Sequence, residues 1–299
     1  MNPSALTPPP ATAAEPDFDA LPPSEPLQRC IERHIREGKV ALPVMPHVAL
    51  EVRRLVAAGA GVPALVTAIE KEPAIAAALV KYANSAAYTG LREVKDLNQV
   101  VLRLGMISVQ QAVLALSTRN LFDTKGEYAD LFRRIWAHSV VTGLAARRLA
   151  ARVHVPGETA FLAGLLHDIG KIIVLQTITG LKRSDARFAL DEATVHEFVD
   201  ALHCGVGDML FESWNIPADL RQVLRRHHDP VLVAPGDMLV AVVQVADLMA
   251  AKLGISLHPD PDVSLIGTPA SSMLRLDDIK VANLLVDLED DIQGTNGLF

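Results

Sequence analysis

The residues best suited to chemistry are histidines and aspartates that interrupt apolar helical patterns. His167 and Asp168 stand side by side at the end of the run Phe161-Leu162-Ala163-Gly164-Leu165-Leu166, and Ile169-Gly170-Lys171 follows. A neutral imidazole beside an anionic carboxylate can reach one divalent cation together. The same residues also fit a plain helix C-terminus, with Gly170 as its cap and Lys171 near the negative end of the dipole. His227-His228 closes another predicted helix and offers one or two further ring nitrogens.

Three more polar residues break inward-facing stripes. Leu131, Ile135, His138, Thr142, Ala145 and Leu149 recur at alternating four- and three-residue steps, so they share one helix face and His138 points into the core. His203 shares its face with Val199, Val206 and Leu210, and Asp247 lies among Val240, Val243 and Ala250. A buried carboxylate without a partner is costly, so Asp247 needs a cation, a donor network or a metal. Any one of these histidines alone reads as a core imidazole satisfied by a hydrogen bond. Five helices that each present His or Asp have their simplest common partner in a cation. Imidazole and carboxylate ligands suit iron, manganese, zinc or magnesium.

The elements that must position these groups are helical. Half of the 299 residues are apolar and only 4% aromatic, with Ala and Leu dominant, which favours an all-α fold. Residues 1–26 form a Pro/Ala-rich tail expected to be mobile. Short helices are expected over 27–122, including Ala74–Ala83 and Val109–Leu121, with breaks at Leu42-Pro43 to Pro46, Gly61-Val62-Pro63, Glu72-Pro73 and Thr89-Gly90. A second part, 123–254, starts with a long helix from about Tyr128 to Val153. Helices near 158–168, 191–213, 217–227 and 237–253 follow, parted by loops at Val155-Pro156-Gly157, Asn215-Ile216-Pro217 and Asp229-Pro230. A C-terminal extension, 255–299, carries a last amphipathic helix over roughly Asp277–Asp291 that packs back or mediates contact.

Composition narrows the partners. A net charge of −7 without a long basic run makes nucleic acid a poor partner. The two cysteines, Cys30 and Cys204, form no CxxC, so neither a disulfide framework nor a thiolate zinc site is indicated, and a cytoplasmic setting is expected. The first residues lack the pattern of a signal peptide. No run approaches 18 apolar residues, since even Met238 to Ala246 contains Gln244, so no membrane partner is expected.

The order His138, His167-Asp168, His203, His227-His228, Asp247 resembles the HD phosphohydrolase pattern, and His167 to Lys171, HDIGK, resembles the HDxGK centre of the HD-GYP phosphodiesterases. Other landmarks are similar to the HDOD family. They are Leu42-Pro43 with Met45-Pro46, Glu72-Pro73, Ala83-Asn84-Ser85-Ala86-Ala87-Tyr88, Val100 to Gly105, Trp136-Ala137-His138-Ser139, and Trp214 to Pro217 before His227-His228-Asp229-Pro230. The similarity covers about 40–255. It implies a multi-helix HDOD bundle over 27–254 with an N-terminal helical subdomain and an HD-like subdomain.

In the enzymatic relatives the equivalent residues bind two or more metals that activate water for attack on phosphorus. By position this makes His138, His167, Asp168, His203, His227, His228 and Asp247 ligands, and gives Asp168 and Lys171 catalytic roles, Lys171 as a phosphate contact. HDOD domains are regulatory relatives, many without the ligand set, which stands complete here. Two departures speak against cyclic di-GMP hydrolysis: Asp229-Pro230-Val231 replaces the GYP loop, and Arg134 stands where some relatives carry an extra carboxylate. Arg133-Arg134, Arg147-Arg148 and Arg225-Arg226 are expected on solvated faces. The resemblance thus implies a signalling protein that binds a protein partner or a small phosphate-containing ligand. Its alternative is a metal-dependent phosphohydrolase acting on a phosphate ester or nucleotide.

Overall fold

Helices form where the apolar spacing turns to steps of three and four, and Pro, Gly and Asp set their starts and stops. In the computed structural model, residues 27–37, 42–85, 92–122, 126–184, 188–233 and 235–294 are described. The tail 1–26, the landmark residues Ala86-Ala87-Tyr88 and the break at Thr89-Gly90 lie outside them. The N-terminal part consists of α1 (Leu27–Arg36), α2 (His47–Ala57), α3 (Val62–Glu70), α4 (Pro73–Ala83), α5 (Leu97–Leu104) and α6 (Met106–Phe122). Then come α7 (Ala129–Ala150), α8 (Gly157–Leu166), α9 (Ile169–Ser184), α10 (Glu192–Ser213), α11 (Ala218–Arg226), α12 (Met238–Lys252), α13 (Pro269–Met273) and α14 (Asp278–Gly294). The described residues contain no strand, so the all-α expectation holds.

Local chemistry accounts for the boundaries. Pro63 and Pro73 occupy first-turn positions of α3 and α4, where a missing N–H costs nothing. Asp96 caps α5 by accepting from the Gln99 N–H at 2.9 Å, and Asp191 caps α10 by accepting from Thr194 at 2.8 Å. Gly105, with φ +80°, turns the chain through 114° between α5 and α6.

The largest difference from the sequence reading lies after Asp168. Instead of a helix capped at Gly170, α8 stops at Leu166 and a new helix, α9, starts at Ile169. Gly170 therefore sits in the first turn of α9, where a Cβ would collide with the His203 carbonyl oxygen. Its lack of a side chain serves helix contact rather than a cap. Gly164 does the same one helix earlier: a Cβ there would lie 2.7 Å from the Thr142 carbonyl oxygen of α7. Backbone-to-backbone packing at these two points draws α7, α8, α9 and α10 around one centre. The stretch Gly157–Arg183 is long and apolar enough to cross a membrane, although no apolar run is unbroken; 94% of its most apolar window is buried inside the fold, as a core element requires.

Arginines tie the parts together. Arg147 donates to the Tyr82 hydroxyl at 2.7 Å, lies 3.6 Å from Glu158 and covers the Phe161 ring, joining α4, α7 and α8. Arg148 holds α14 against α7 through Asp291 at 2.6 and 2.8 Å, so the last helix packs back. The expectation that Arg147-Arg148 face solvent is corrected: both reach neighbouring carboxylates that apolar periodicity does not register. Arg133 is the exposed one of its pair.

Candidate metal centre

The seven predicted ligands arrive from five places in the bundle. His138 lies mid-way along α7, His167 and Asp168 in the short link between α8 and α9, His203 on α10, His227 and His228 just past α11, and Asp247 on α12. His138, His167, Asp168, His203 and His227 are buried. His228 is exposed, and Asp247 keeps 23% of its side-chain surface, so the centre opens on that side.

The histidine rings are oriented by backbone carbonyls. Nδ1 of His138 faces Ile255 O at 2.9 Å, that of His167 faces Gly164 O at 2.7 Å, that of His203 faces Asp200 O at 2.8 Å, and that of His227 faces Val223 O at 3.1 Å. A carbonyl only accepts, so each of these Nδ1 atoms carries a proton, and wherever the ring is neutral it turns an Nε2 lone pair inward. The Nε2 atoms meet one another: His138 and His167 at 3.3 Å, His203 and His227 at 3.1 Å, His203 and His228 at 3.2 Å.

Asp168 stands between two groups. Its Oδ2 is 3.5 Å from His138 Nε2, 3.4 Å from His167 Nε2 and 2.8 Å from Lys171 Nζ. Its Oδ1 is buried, has no hydrogen-bond donor, and points at Nε2 of His203 and His227 at 3.4 and 3.6 Å. Asp247 Oδ1 completes the first group at 3.1 Å from His138 Nε2.

Burial pushes the pKa of His167 down to about 3 and that of His203 to about 4, and desolvation of the part-buried ring tip, with His227 beside it, also lowers the otherwise exposed His228, so these rings stay neutral and keep their lone pairs. Burial opposes the charge on Asp168, but His167 and Lys171 outweigh it and hold the carboxyl well below its usual range. For Asp247 burial is likewise overcome, by the His138 hydrogen bond, and its pKa is lowered. Burial would lower His138 too, yet the bond to Asp247 and the nearby carboxylates raise it. Lys171 is raised because the Asp168 charge overcomes its burial.

Lone pairs facing lone pairs around an orphaned carboxylate oxygen repel unless a cation lies between them. The donor set, imidazole nitrogens fixed by carbonyl partners plus carboxylates, fits divalent metal ions. The HDOD domain profile matches residues 42–230. The chain belongs to the HDOD family. It is 22% identical over 199 residues to an uncharacterized protein of Treponema pallidum, a match covering 63% of this chain and 38% of that protein, so the chain spans well under half of that relative.

Two solved structures have similar folds. An HDOD domain protein of unknown function from Geobacter sulfurreducens shares 22% identity over 91% of this chain and 98% of its own, with a TM-score of 0.69. A provisionally assigned metal-dependent phosphohydrolase from Shewanella amazonensis shares 19% identity over 89% and 98%, with a TM-score of 0.72.

Within this HDOD protein the other predicted residues take clear places. Lys171 is buried against Asp168 and lies 3.8 Å from Asp200. Arg134 does not face solvent: it donates to the carbonyls of Ser256 and Leu257, anchoring the turn whose Ile255 carbonyl orients His138. Arg226 keeps 30% of its side-chain surface, yet it grips Asp237 at 2.5 and 3.1 Å and Asp229 at 3.0 Å and so holds the segment after His228. Arg225 is exposed. The sequence reading missed Cys204, whose Sγ is 3.3 Å from His203 Nε2. Burial pushes its thiol up to about 12. Adjacency to His203 was the available signal, but a search for CxxC spacing passes over it.

Proposed function

We propose that this HDOD protein is a regulatory, cytoplasmic signalling protein whose centre holds divalent ions on both sides of Asp168. The observation that carries this reading is the set of ring nitrogens turned toward one another around the orphaned Asp168 Oδ1. Bound ions would supply Lewis acidity and an acidified water. His138, His167 and Asp247 would hold one, and His203, His227 and His228 the other, with Asp168 shared.

Signalling needs a route from the centre to a surface, and α11 provides one. Its first turn borders a cavity of about 390 Å³ lined by Met45, Arg53, Leu114, Ile216 and Leu220, between the N-terminal helices and the rest of the bundle. At 1.5 Å per residue the helix runs roughly 13 Å to His227. A protein partner or small phosphate-containing ligand engaging that junction would bias the His227-His228 end. Elemental analysis of protein purified without chelators should find divalent metal. Hydrogen exchange over 215–220 should rise when the metal is stripped, and exchange unaffected by metal would sink the coupling.

A second reading, metal-dependent hydrolysis of a phosphate ester or nucleotide, is favoured by one observation. Asp168 presents an oxygen to each group while Lys171, with its three donors, stands 2.8 Å away. Multiple turnovers on a panel of phosphomonoesters, nucleotides and cyclic dinucleotides, lost in Asp168→Ala, would replace the regulatory reading with this one.

A further inference from the structure

The two groups flanking Asp168 differ in chemistry. His138, His167 and Asp247 offer nitrogen and oxygen alone. On the other side, the ring nitrogens of His203, His227 and His228 are joined by the sulfur of Cys204, and these four ligand atoms all lie within 4.8 Å of one another. Ligands at about 2.0–2.3 Å from one ion stand roughly 2.8–3.8 Å apart for angles between 90° and the tetrahedral value, which covers these four atoms together with the shared Asp168 oxygen. The separations from His203 Nε2, 3.3 Å to Sγ, 3.1 Å to His227 and 3.2 Å to His228, fall inside that range. The buried, unpartnered Asp168 Oδ1 points at the same nitrogens. The competing account is a partly buried thiol that merely donates an S–H to His203 Nε2. It leaves Asp168 Oδ1 and the Nε2 of His227, whose proton is held on Nδ1 by the Val223 carbonyl, without a partner.

We propose that Cys204 is a thiolate ligand of the group formed by His203, His227 and His228, so that this side of Asp168 takes a borderline ion of the zinc and cobalt class while the other side takes a harder one. The inference rests on the metal reading above. Sulfur favours softer ions, whereas a set of two imidazoles and carboxylates also accepts iron, manganese or magnesium. On binding, the metal–sulfur bond forms and the thiol proton leaves to solvent.

The test is a cobalt(II) titration of the full chain after chelator treatment under reductant. Wild-type protein should bind two equivalents, and a near-ultraviolet sulfur-to-cobalt charge-transfer band should accompany one of them. Cys204→Ser should lose that band with unchanged helical circular dichroism, and Cys30→Ser should keep it. Cobalt bound with visible ligand-field bands but no charge-transfer band overturns the thiolate and leaves the metal reading standing. So does a band that follows Cys30. Failure to bind cobalt or zinc at all ends both. Should Cys204→Ser not fold, alkylation of wild-type Cys204 read by peptide mass spectrometry decides. Zinc should slow labelling at least several-fold, and equal rates with and without zinc refute the proposal.

Discussion

The two sides of Asp168 are built by different means. On the Oδ2 side, His138 and His167 come from α7 and the end of α8, helices that meet backbone to backbone at Gly143 and Gly164. On the Oδ1 side, His227 and His228 sit past a nine-residue helix, followed by a segment held by Arg226 through Asp229, Asp237 and the Val231 carbonyl. The first side is positioned by close helix packing, and the second combines one such contact, His203 against Gly170, with charged hydrogen bonds that hold the loop after His228. The first should resist changes in solvent and loop sequence, and the second should be adjustable. The adjustable side is also the one carrying the exposed His228.

Asp168→Ala should erase the comparison altogether, because both sides share that carboxylate. It also leaves Lys171 buried without its partner, and breaking a buried pair in this way costs about 3–5 kcal/mol. Urea denaturation and metal analysis should show lower stability and metal lost from both sides. Retention of a full complement of metal would refute the shared role.

Gly170→Ala should strike mainly the Oδ1 side. The added Cβ forces α9 from α10 at the His203 carbonyl, and overpacking of this kind costs about 1–3 kcal/mol. Metal stoichiometry should fall toward one equivalent as His203 moves from Asp168; a chain with wild-type stability and two equivalents would contradict the packing argument.

Arg226→Ala and Arg134→Ala should separate the sides. Neither arginine is among the ligands, yet each orients what a ligand depends on, and such changes weaken metal affinity by roughly 10–100-fold. Competition titrations with a chromophoric chelator should show Arg226→Ala weakening one equivalent and Arg134→Ala the other. Both variants acting on the same equivalent would collapse the distinction.

A further prediction concerns acid. In metal-free protein the folded pKa values of His167, about 3, and His203, about 4, lie below their ordinary 6.5, so between them the unfolded chain binds more protons. Stability should therefore fall as pH drops through about 6.5 and level off below the folded values, with His138, shifted upward, opposing the trend. Urea midpoints at about pH 7.5 and about pH 5 check this, and an unchanged or higher midpoint at the lower pH would contradict the assigned neutral rings. Metal should deepen the slope, since protons compete for the same nitrogens.

Much of this was legible in one dimension. Inward placement of His138 and His203 followed from the four-and-three spacing of their apolar neighbours, because a helix face is a periodic property of sequence. The start of α10 at Asp191 and the prolines of α3 and α4 were readable because caps and breakers act locally. The break after Leu166 was not, since Ile169 to Ser184 continues an apolar helical pattern and Gly170 has two uses in sequence, as a cap and as a contact point.

The roles of Arg134, Arg147, Arg148 and Arg226 were also hidden. Their partners stand on other elements, and polar residues on a helix carry no mark of whether a carboxylate or carbonyl waits nearby. By itself the sequence determined the helical class and which residue types could ligate a cation. Only the tertiary structure decided that Asp168 divides them into two groups and that Cys204 joins one. That depends on how closely α7 meets α8 and α9 meets α10, and contact at glycine backbones is fixed by partners distant in the chain.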